Sequence, residues 1–285
     1  MTRVLVLAFS ALFLSASVQA QPVDGRLKRI LDAKTVHVAY RADASPFSFT
    51  QGKEVVGFSI DICQFVVKSI ERQYKAQGLA IKWVPVTTQT RFDAVAKGQA
   101  DMECSSSTAT LSRMKQVDFS SFIFVESTGL VVKTASGIKS IADLVGKKIG
   151  VVAGTTNERA VNVQAKRYGL NGSVVSFKTR DEGMAAVVAG QVDAFASDKL
   201  LLIGAAAKAK DAGASLTMLN DDLSIEPYAI VLPRGDATLR LAVNTALAEL
   251  YRSGQIVDIF KRWFADFGPP TPLLQAVYIF GAIPE

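Results

Sequence analysis

The feature that most constrains the fold is an alternation of short β-rich runs with longer helical patterns, which occurs twice along the chain. The first series has predicted strands at residues 35–40, 81–86 and 101–104 and predicted helices at 59–74 and 88–97. Its helices are followed by Gly78 and Gly98, and glycine is a common helix terminator. Strands that alternate with helices in this way indicate an α/β fold built from crossover units.

The alternation restarts after a long apolar and β-branched stretch at residues 122–133. The second series has predicted strands at 148–152, 173–177 and 192–196 and predicted helices at 156–168 and 181–189. An extended run at 226–232 and two helices at 239–251 and 255–264 then close the pattern. We therefore predict two similar α/β units in one chain.

The closing helices are expected to pack on the first unit, so that the chain crosses between two lobes twice, near residues 125–130 and 226–230. Two crossing strands form a hinge, and hinge closure around a ligand is a common mode of domain motion. The predicted lobes are 21–127 with 230–268, and 128–229. The proline-containing segment 269–285 is predicted to be a C-terminal tail.

The first twenty residues have the pattern of a secretory signal peptide. A basic Arg3 precedes an apolar run that is too short to cross a bilayer, and small and polar residues end at Ala20. No cysteine follows the cleavage region, so we expect no lipid anchor. The mature chain is predicted to start near Gln21 and to lie in the periplasm.

Composition excludes several functional classes. The chain is 49% hydrophobic and 20% charged, which is typical of a globular protein, and its net charge of +6 is not gathered into a run that would bind nucleic acid. One histidine and two distant cysteines make a transition-metal site an unexpected feature, and we expect no cofactor. Cys63 and Cys104 could pair in an oxidising compartment, but their spacing does not decide this. The sequence contains no phosphate-binding loop, nucleophile elbow or zinc-protease motif.

Hydroxyl and cationic side chains follow the predicted strand ends, where open α/β sheets bind ligands. Ser106, Thr108 and Arg113 follow the strand at 101–104 and could hold a carboxylate through hydroxyls, backbone amides and a guanidinium. A capping loop beside a surface arginine is the structural alternative. Arg41 follows the first strand, and Arg91 lies in the first turn of the helix that Thr88 opens. Each of these arginines could instead be solvated.

The second series offers matching groups. Thr155 follows the strand at 148–152 and precedes a helix, and Asp198 follows the strand at 192–196. The carboxylate of Asp198 could pair with an ammonium group. Both residues could instead act only as helix caps. Together with Arg113, they predict a receptor for a zwitterion whose carboxylate faces lobe 1 and whose ammonium faces lobe 2.

The order and spacing of these motifs, from about residue 25 to 268, resemble those of the amino-acid-binding proteins of ATP-driven importers, especially the glutamate and aspartate branch. The matching motifs are Val55-Val56-Gly57-Phe58-Ser59, Arg91 in its Thr-Gln-Thr-Arg context, residues 103–108 with Arg113, the crossing strand after Ser120, Gly154-Thr155-Thr156, and Asp198. The resemblance implies the type II periplasmic-binding-protein fold, with two doubly wound lobes joined by a two-strand hinge.

The resemblance also implies roles for the candidate residues. Ser106, Thr108 and Arg113 would hold the ligand α-carboxylate, and Asp198 would hold the α-ammonium. Thr155 would add an anion contact, and Arg41, Thr88 and Arg91 would surround the side chain. The implied partners are a free amino acid and a membrane-embedded ABC permease, and we expect a monomer without a nucleic-acid partner or enzymatic activity.

One departure from the family pattern leaves alternatives open. Where acidic-amino-acid binders have a histidine near the ligand side chain, this sequence has Glu182, whose carboxylate would repel a ligand carboxylate unless an arginine neutralised it. Secreted cyclohexadienyl dehydratases resemble these proteins and carry a Gly-Thr-Asn-Glu stretch, similar to Gly154-Thr155-Thr156-Asn157-Glu158. In that alternative Glu182 would be a general acid. A sensor lobe that reports a ligand to a membrane receptor is a third interpretation.

Overall fold

The computed structural model of the chain describes residues 23–211 and 213–284. The signal peptide predicted for residues 1–20 lies outside this range. Within it, no helix is both long and apolar enough to cross a membrane.

The described residues form an α/β structure with twelve strands and nine α-helices. The strands are β1 (Thr35–Arg41), β2 (Asp43–Ala44), β3 (Ser48–Gln51), β4 (Glu54–Val56), β5 (Ala80–Val86), β6 (Met102–Glu103), β7 (Val117–Lys133), β8 (Ile149–Val152), β9 (Val174–Phe177), β10 (Ala194–Asp198), β11 (Leu216–Met218) and β12 (Ile225–Pro233). The helices are α1 (Gly25–Ala33), α2 (Phe58–Gln73), α3 (Arg91–Ala96), α4 (Thr156–Arg167), α5 (Arg180–Ala189), α6 (Lys199–Asp211), α7 (Ala237–Arg252), α8 (Gln255–Phe264) and α9 (Pro272–Gly281).

One strand joins the two halves of the sheet. The strand order is β5-β1-β6-β12-β7-β10-β8-β9, with β11 also paired to β7, and β2, β3 and β4 form a separate small sheet. The first part of β7 pairs with β12 as far as Ser127, and from Thr128 onward its partner is β10. The chain therefore changes sheets within a single continuous strand.

Each half of the sheet has apolar side chains packed on both faces. In the first half, Val66 of α2 and Leu247 of α7 belong to one buried cluster, and Val95 of α3 belongs to the cluster on the opposite face. In the second half, Val161 of α4 and Val187 of α5 belong to two further clusters. Burial on both faces fits the near-continuous apolar runs of these strands.

Most of the predicted elements are present, with shifted boundaries. Strand β7 begins at Val117, five residues before the predicted start, and α3 begins at Arg91 because residues 87–90 form a turn. Asp198 is the last residue of β10 instead of following it. The segment predicted as a tail contains α9, which begins with Pro272 after the capping residue Thr271 and packs on β7 and α7. The residue limits of the two lobes stay a prediction.

A disulfide links helix α2 to the residue that follows β6. Cys63 and Cys104 are bonded and enclose a separation of 41 residues. Both residues are fully buried. The bond therefore fixes the chain immediately before the hydroxyl-rich segment that starts at Ser105.

Replacing both cysteines should destabilise the fold, because the unfolded chain without the cross-link has a higher conformational entropy. We expect the Cys63→Ser, Cys104→Ser double variant to lose about 2–4 kcal/mol of unfolding free energy, measured by urea denaturation. Dithiothreitol should lower the stability of the wild-type protein by a similar amount and leave the variant unchanged. Equal stability of both proteins under oxidising conditions would contradict a role for the bond.

Candidate functional site

A polar cavity lies between the two halves of the sheet, at the strand ends. Seven of the eight predicted site residues line it, and Arg113 does not. The cavity is lined by Arg41, Thr88, Arg91, Ser106, Thr108, Val152, Thr155, Thr156, Asn157, Arg180, Ser197 and Asp198. Residues from the ends of β1, β8 and β10 thus meet at one place, as expected for the carboxyl ends of strands in open α/β sheets.

The wall from the first half includes a buried loop that follows the disulfide. Hydrogen bonds to its backbone carbonyls hold this loop in place. Ser59 Oγ donates to the Ser105 carbonyl at 2.8 Å, and the Ala229 amide donates to the Ser107 carbonyl at 3.1 Å. The Ser106 hydroxyl is buried without a hydrogen-bond partner among the described residues. A buried polar group of this kind is ordinarily paired, so Ser106 is suited to bind a ligand oxygen.

Two guanidinium groups of this wall differ in their partners. Arg41 donates twice to Asp43, from Nε at 3.0 Å and from Nη2 at 2.9 Å. Arg91 is fully buried, and its Nε and Nη1 atoms have no acceptor within the described chain. Burial, together with the charges of Arg41 and Arg113, lowers the pKa of Arg91 to about 9. An anion beside Arg91 would relieve both effects.

Arg113 stands outside the cavity. Its Nη1 donates to the Thr108 carbonyl at 2.8 Å, and its guanidinium lies over the Phe92 ring. Arg113 therefore supports the loop that carries Thr108. Burial lowers its pKa despite the nearby carboxylates of Glu226 and Asp198.

The wall from the second half contains the start of helix α4. Thr155 caps this helix, since its Oγ accepts the Glu158 amide at 3.2 Å. The first turn of α4 thus presents its positive end to the cavity, which favours an anion. Residues 154–156 therefore form the helix-opening turn that the sequence predicted.

Asp198 provides the one carboxylate of the cavity lining. Asn157 Nδ2 donates to its Oδ1 at 2.7 Å and to Thr128 at 2.7 Å, which fixes the orientation of both acceptors. Burial and the charge of Glu226 raise the pKa of Asp198 above its ordinary value. An ammonium group at this position would stabilise the ionised carboxylate.

Arg180 is a cavity residue that the sequence analysis missed. It is the first residue of α5. This helix packs closely on β10 because Gly183 has no side chain; a Cβ there would lie 2.0 Å from the Phe195 ring. Arg180 Nε consequently approaches Ser197 Oγ at 3.3 Å, and Nη1 donates to the Asp43 carbonyl at 2.6 Å across the cleft.

Glu182 does not occupy the pocket position that the sequence analysis considered. Its side chain is exposed, and its carboxylate accepts the Lys178 amide at 3.0 Å in a capping box with Thr179. The motif Thr-x-x-Glu, whose glutamate is the third residue of the helix, was therefore a structural signal. The hypothesis that Glu182 is a buried general acid loses its geometric basis.

The walls of the cavity stand close together. The cavity volume is about 20 Å³, which leaves room for about one water molecule. Contacts also bridge the cleft, since Gln89 Nε2 donates to the Lys178 carbonyl at 3.1 Å and the hydroxyls of Thr108 and Thr156 are 3.5 Å apart. A ligand with several heavy atoms would have to part these walls to enter.

The described part of the chain contains no group of three or more His, Cys, Asp or Glu side chains that could hold a metal ion. The described residues that line the cavity provide ionic and hydrogen-bonding groups, namely three guanidiniums, one carboxylate, several hydroxyls and a helix N-terminus.

Comparison with protein families and curated proteins gives consistent matches. A family model described as bacterial extracellular solute-binding proteins, family 3, matches residues 36–266. An L-glutamate/L-aspartate-binding protein of Pseudomonas aeruginosa is 35% identical over 271 residues, which cover 93% of this chain and 88% of that protein. A glutamate/aspartate import solute-binding protein of Escherichia coli is 30% identical over 273 residues, which cover 95% and 90%.

Solved structures show the same fold. An ancestral arginine-binding protein bound to arginine superposes with a TM-score of 0.71 at 31% identity, covering 81% of this chain and 98% of that chain. An ancestral amino acid-binding protein, described as a precursor of cyclohexadienyl dehydratase, gives a TM-score of 0.71 at 28% identity and covers 84% and 100%. These similarities confirm the predicted fold class.

The buried carboxylate of Asp198 should reduce the stability of the ligand-free protein. Because the pKa of Asp198 is raised, its carboxyl group stays protonated to a higher pH in the folded state than in the unfolded chain. The contribution of Asp198 to stability is therefore lost as the pH rises from its ordinary pKa through the raised value. We expect Asp198→Asn to raise the unfolding free energy of the ligand-stripped protein at pH 7, with the gain fading near pH 4.

Urea denaturation of the refolded proteins at both pH values measures this difference. Asp222→Asn is the matched control, because Asp222 is largely exposed and pairs with Lys199 at 2.6 Å. A variant at position 198 that is less stable than the wild type at pH 7 would show that the nearby guanidiniums outweigh the effect of burial.

Proposed function

The chain belongs to family 3 of the bacterial extracellular solute-binding proteins, and we propose that it is the amino-acid-binding component of an ABC importer with glutamate or aspartate as its ligand. The names of the relatives from Pseudomonas aeruginosa and Escherichia coli support this ligand class. These relatives are binding proteins and not enzymes, which agrees with the expected absence of catalysis.

The observation that carries the proposal is the charge balance of the cavity. Three guanidiniums, those of Arg41, Arg91 and Arg180, face one carboxylate, that of Asp198. A ligand with two carboxylates and one ammonium complements this set, whereas arginine would bring a further cation against Arg91. The related arginine-binding structures therefore support the fold and not the ligand.

Each end of a dicarboxylic amino acid has suitable partners. The α-ammonium would pair with Asp198, and the α-carboxylate would lie among Ser106, Thr108 and Thr155 at the start of α4. Arg113 Nη1 donates to the Thr108 carbonyl at 2.8 Å, so its remaining N–H donors would be the ones that join this group.

The side-chain carboxylate would bind at the arginines. Arg91 is the preferred partner because two of its nitrogen atoms are buried and have no acceptor among the described residues. Arg41 and Arg180 already have acceptors at Asp43, so they would add charge at the edge of the subsite. Thr88 completes the lining of this side.

The mechanism is capture by closure of the two lobes. Because the walls stand close together, the lobes must part to admit the ligand, and the bonds across the cleft must then re-form. A ligand drives closure only through its stronger interaction with the closed state. Arg180 and Asp198 from lobe 2 supply such interactions, since they reach the ligand only when the cleft is closed.

The dehydratase alternative assigns the general acid to Glu182, and the motif that supports it includes Glu158. Glu182 is exposed, and the Glu158 carboxylate accepts the Gly154 amide at 2.9 Å and the Ser176 hydroxyl at 2.8 Å. A ring substrate without an ammonium group would also leave Asp198 unpaired. Binding is the better explanation of this geometry.

Extracellular location is a property of the family. We propose that the chain acts in the periplasm after cleavage of the signal peptide predicted at residues 1–20, and that it delivers its ligand to a membrane-embedded permease. The sensor alternative uses the same ligand site and differs only in the membrane partner.

A panel of ligands tests the proposed specificity. Refolded, ligand-stripped protein should show a raised melting temperature with glutamate and aspartate, because these ligands bind only the folded state. Arginine should give no shift, and glutamine should give a smaller one. A shift with prephenate followed by turnover, or a shift with arginine alone, would overturn the proposal.

The Arg91→Met variant tests the side-chain subsite. Loss of one partner of a buried charge pair typically costs about 2–5 kcal/mol, so glutamate affinity should fall about 30-fold to several thousand-fold by calorimetry. Glutamine affinity should fall much less, because its side chain carries no charge. Arg72→Met, which removes a half-exposed guanidinium paired with Glu249, should leave both affinities unchanged. Equal losses for glutamate and glutamine would place the side-chain carboxylate elsewhere.

A further inference from the structure

Three acidic side chains meet where β7 changes its pairing partner. Glu126 of β7 lies opposite Glu226 of β12, and two residues further along, Thr128 lies opposite Asp198 of β10. Two residues of a strand span roughly 7 Å, so all three carboxylates belong to the short segment that links the lobes. Only Asp198 lines the amino-acid cavity.

Neutral hydroxyl groups donate hydrogen bonds to both carboxylate oxygens of Glu226. It is almost completely buried, and it accepts hydrogen bonds from Thr108 at 2.6 Å, Thr128 at 3.2 Å and Ser224 at 2.5 Å. These hydroxyls occupy acceptor positions on both of its carboxylate oxygens. Its carboxylate therefore lies beside the other two carboxyl groups.

Glu126 has fewer partners. One oxygen accepts the Ser127 amide at 2.9 Å, and the other is 3.4 Å from the Leu200 amide at the start of α6. No ion pair joins Glu126 to a lysine or arginine of the described chain. Lys199 lies nearby, but its ammonium is paired with Asp222 at 2.6 Å and donates to the Asn220 carbonyl.

The surroundings of Glu126 disfavour its ionised form. The charged groups around it are Glu226 from β12, Asp198 and Lys199 from the β10–α6 junction, and Asp222, which accepts from Ser127. On its other side lies a cavity lined by Phe260, Phe264 and Leu274, with Lys199 as a further lining residue. Partial burial, followed by the charge of Asp198, raises the pKa of Glu126 to about 7, against the opposing effects of the two amide hydrogen bonds and of Lys199.

We propose that Glu126 is a proton site coupled to the amino-acid site, such that a ligand ammonium paired with Asp198 drives a proton from the Glu126 carboxyl into solvent. This inference rests on the proposed function, because it needs an ammonium at Asp198. The ammonium cancels the negative charge that disfavours ionisation of Glu126, so one O–H bond of the carboxyl breaks and the proton passes to the buffer. The freed carboxylate keeps its acceptor positions for the Ser127 and Leu200 amides.

The sign of the pH effect follows from linkage. The ligand-bound form holds this proton less tightly than the free form, so the bound protein releases it at a lower pH. Affinity should therefore rise as the pH increases through the interval between the bound-state and free-state pKa values, the latter being about 7. Above this interval the affinity becomes constant, and each unit of difference in pKa corresponds to a tenfold change.

Titration calorimetry with glutamate in phosphate and in Tris at pH 7 tests the proposal. These buffers differ strongly in their heat of ionisation, so the difference in binding heat gives the number of protons released, which should reach up to about one half for a group that is half protonated. In Glu126→Gln the heats should agree between the buffers and the affinity should become independent of pH between about 6 and 8. Glu249→Gln, a change at a half-exposed carboxylate on α7, is the matched control and should keep the wild-type proton release.

The outcomes separate the two proposals. Binding without proton release in the wild-type protein, or release that persists in Glu126→Gln, would overturn the proton site and leave the proposed function standing. No binding heat with any acidic amino acid would overturn both. If Glu126→Gln fails to fold, Glu126→Ala takes its place in the same comparison, and absence of release in the wild-type protein is by itself sufficient to reject the coupling.

Discussion

Strand β7 holds the two halves of the sheet together. It pairs with β12 up to Ser127 and with β10 from Thr128 onward. One continuous backbone therefore belongs to both lobes. The residues at the change of partner cannot move independently of either lobe. The same change of partner brings the end of β10, with Asp198, beside the segment that precedes β12, with Ser224 and Glu226. The ligand site and the hinge are consequently built from one set of hydrogen bonds, in which Asn157 connects Thr128 to Asp198.

Burial of like charges is the second organising feature. Arg41, Arg91 and Arg180 are all largely buried in one cavity, and burial lowers the pKa of both Arg91 and Arg180. Arg41 pairs with the Asp43 carboxylate, but buried guanidiniums without a carboxylate partner, such as that of Arg91, raise the energy of the protein unless an anion joins them. The free energy that a ligand gains by neutralising them is available for closing the cleft. The proposed specificity for an acidic ligand and the drive toward closure would thus have the same electrostatic origin.

Long amphipathic patterns made most of the architecture predictable, and short elements explain most of the differences. Helix α8 was predicted at its observed limits because its apolar face is strongly periodic, whereas the two-residue strand β2 leaves no periodic signal.

Arg180 and Glu182 are only two positions apart, so a small uncertainty in the start of α5 decides which of them faces the cavity. The capping box of Thr179 and Glu182 could have resolved this from the sequence. The hydrogen bond from Arg113 to the Thr108 carbonyl was not predicted, because the turn of the chain after Thr108 depends on long-range contacts with Phe92 and β12. Helix α9 carried a signal too, since a proline after a threonine is typical of a helix start.

The disulfide beside the ligand loop connects binding to the redox state of the place where the chain folds. Cys104 immediately precedes the residues that provide Ser106 and Thr108, and its bond to Cys63 anchors them to helix α2. Thiols stay reduced in the cytoplasm and oxidise outside it. A chain kept in a reducing compartment would therefore carry an unanchored loop. Formation of the disulfide and completion of the candidate site would coincide.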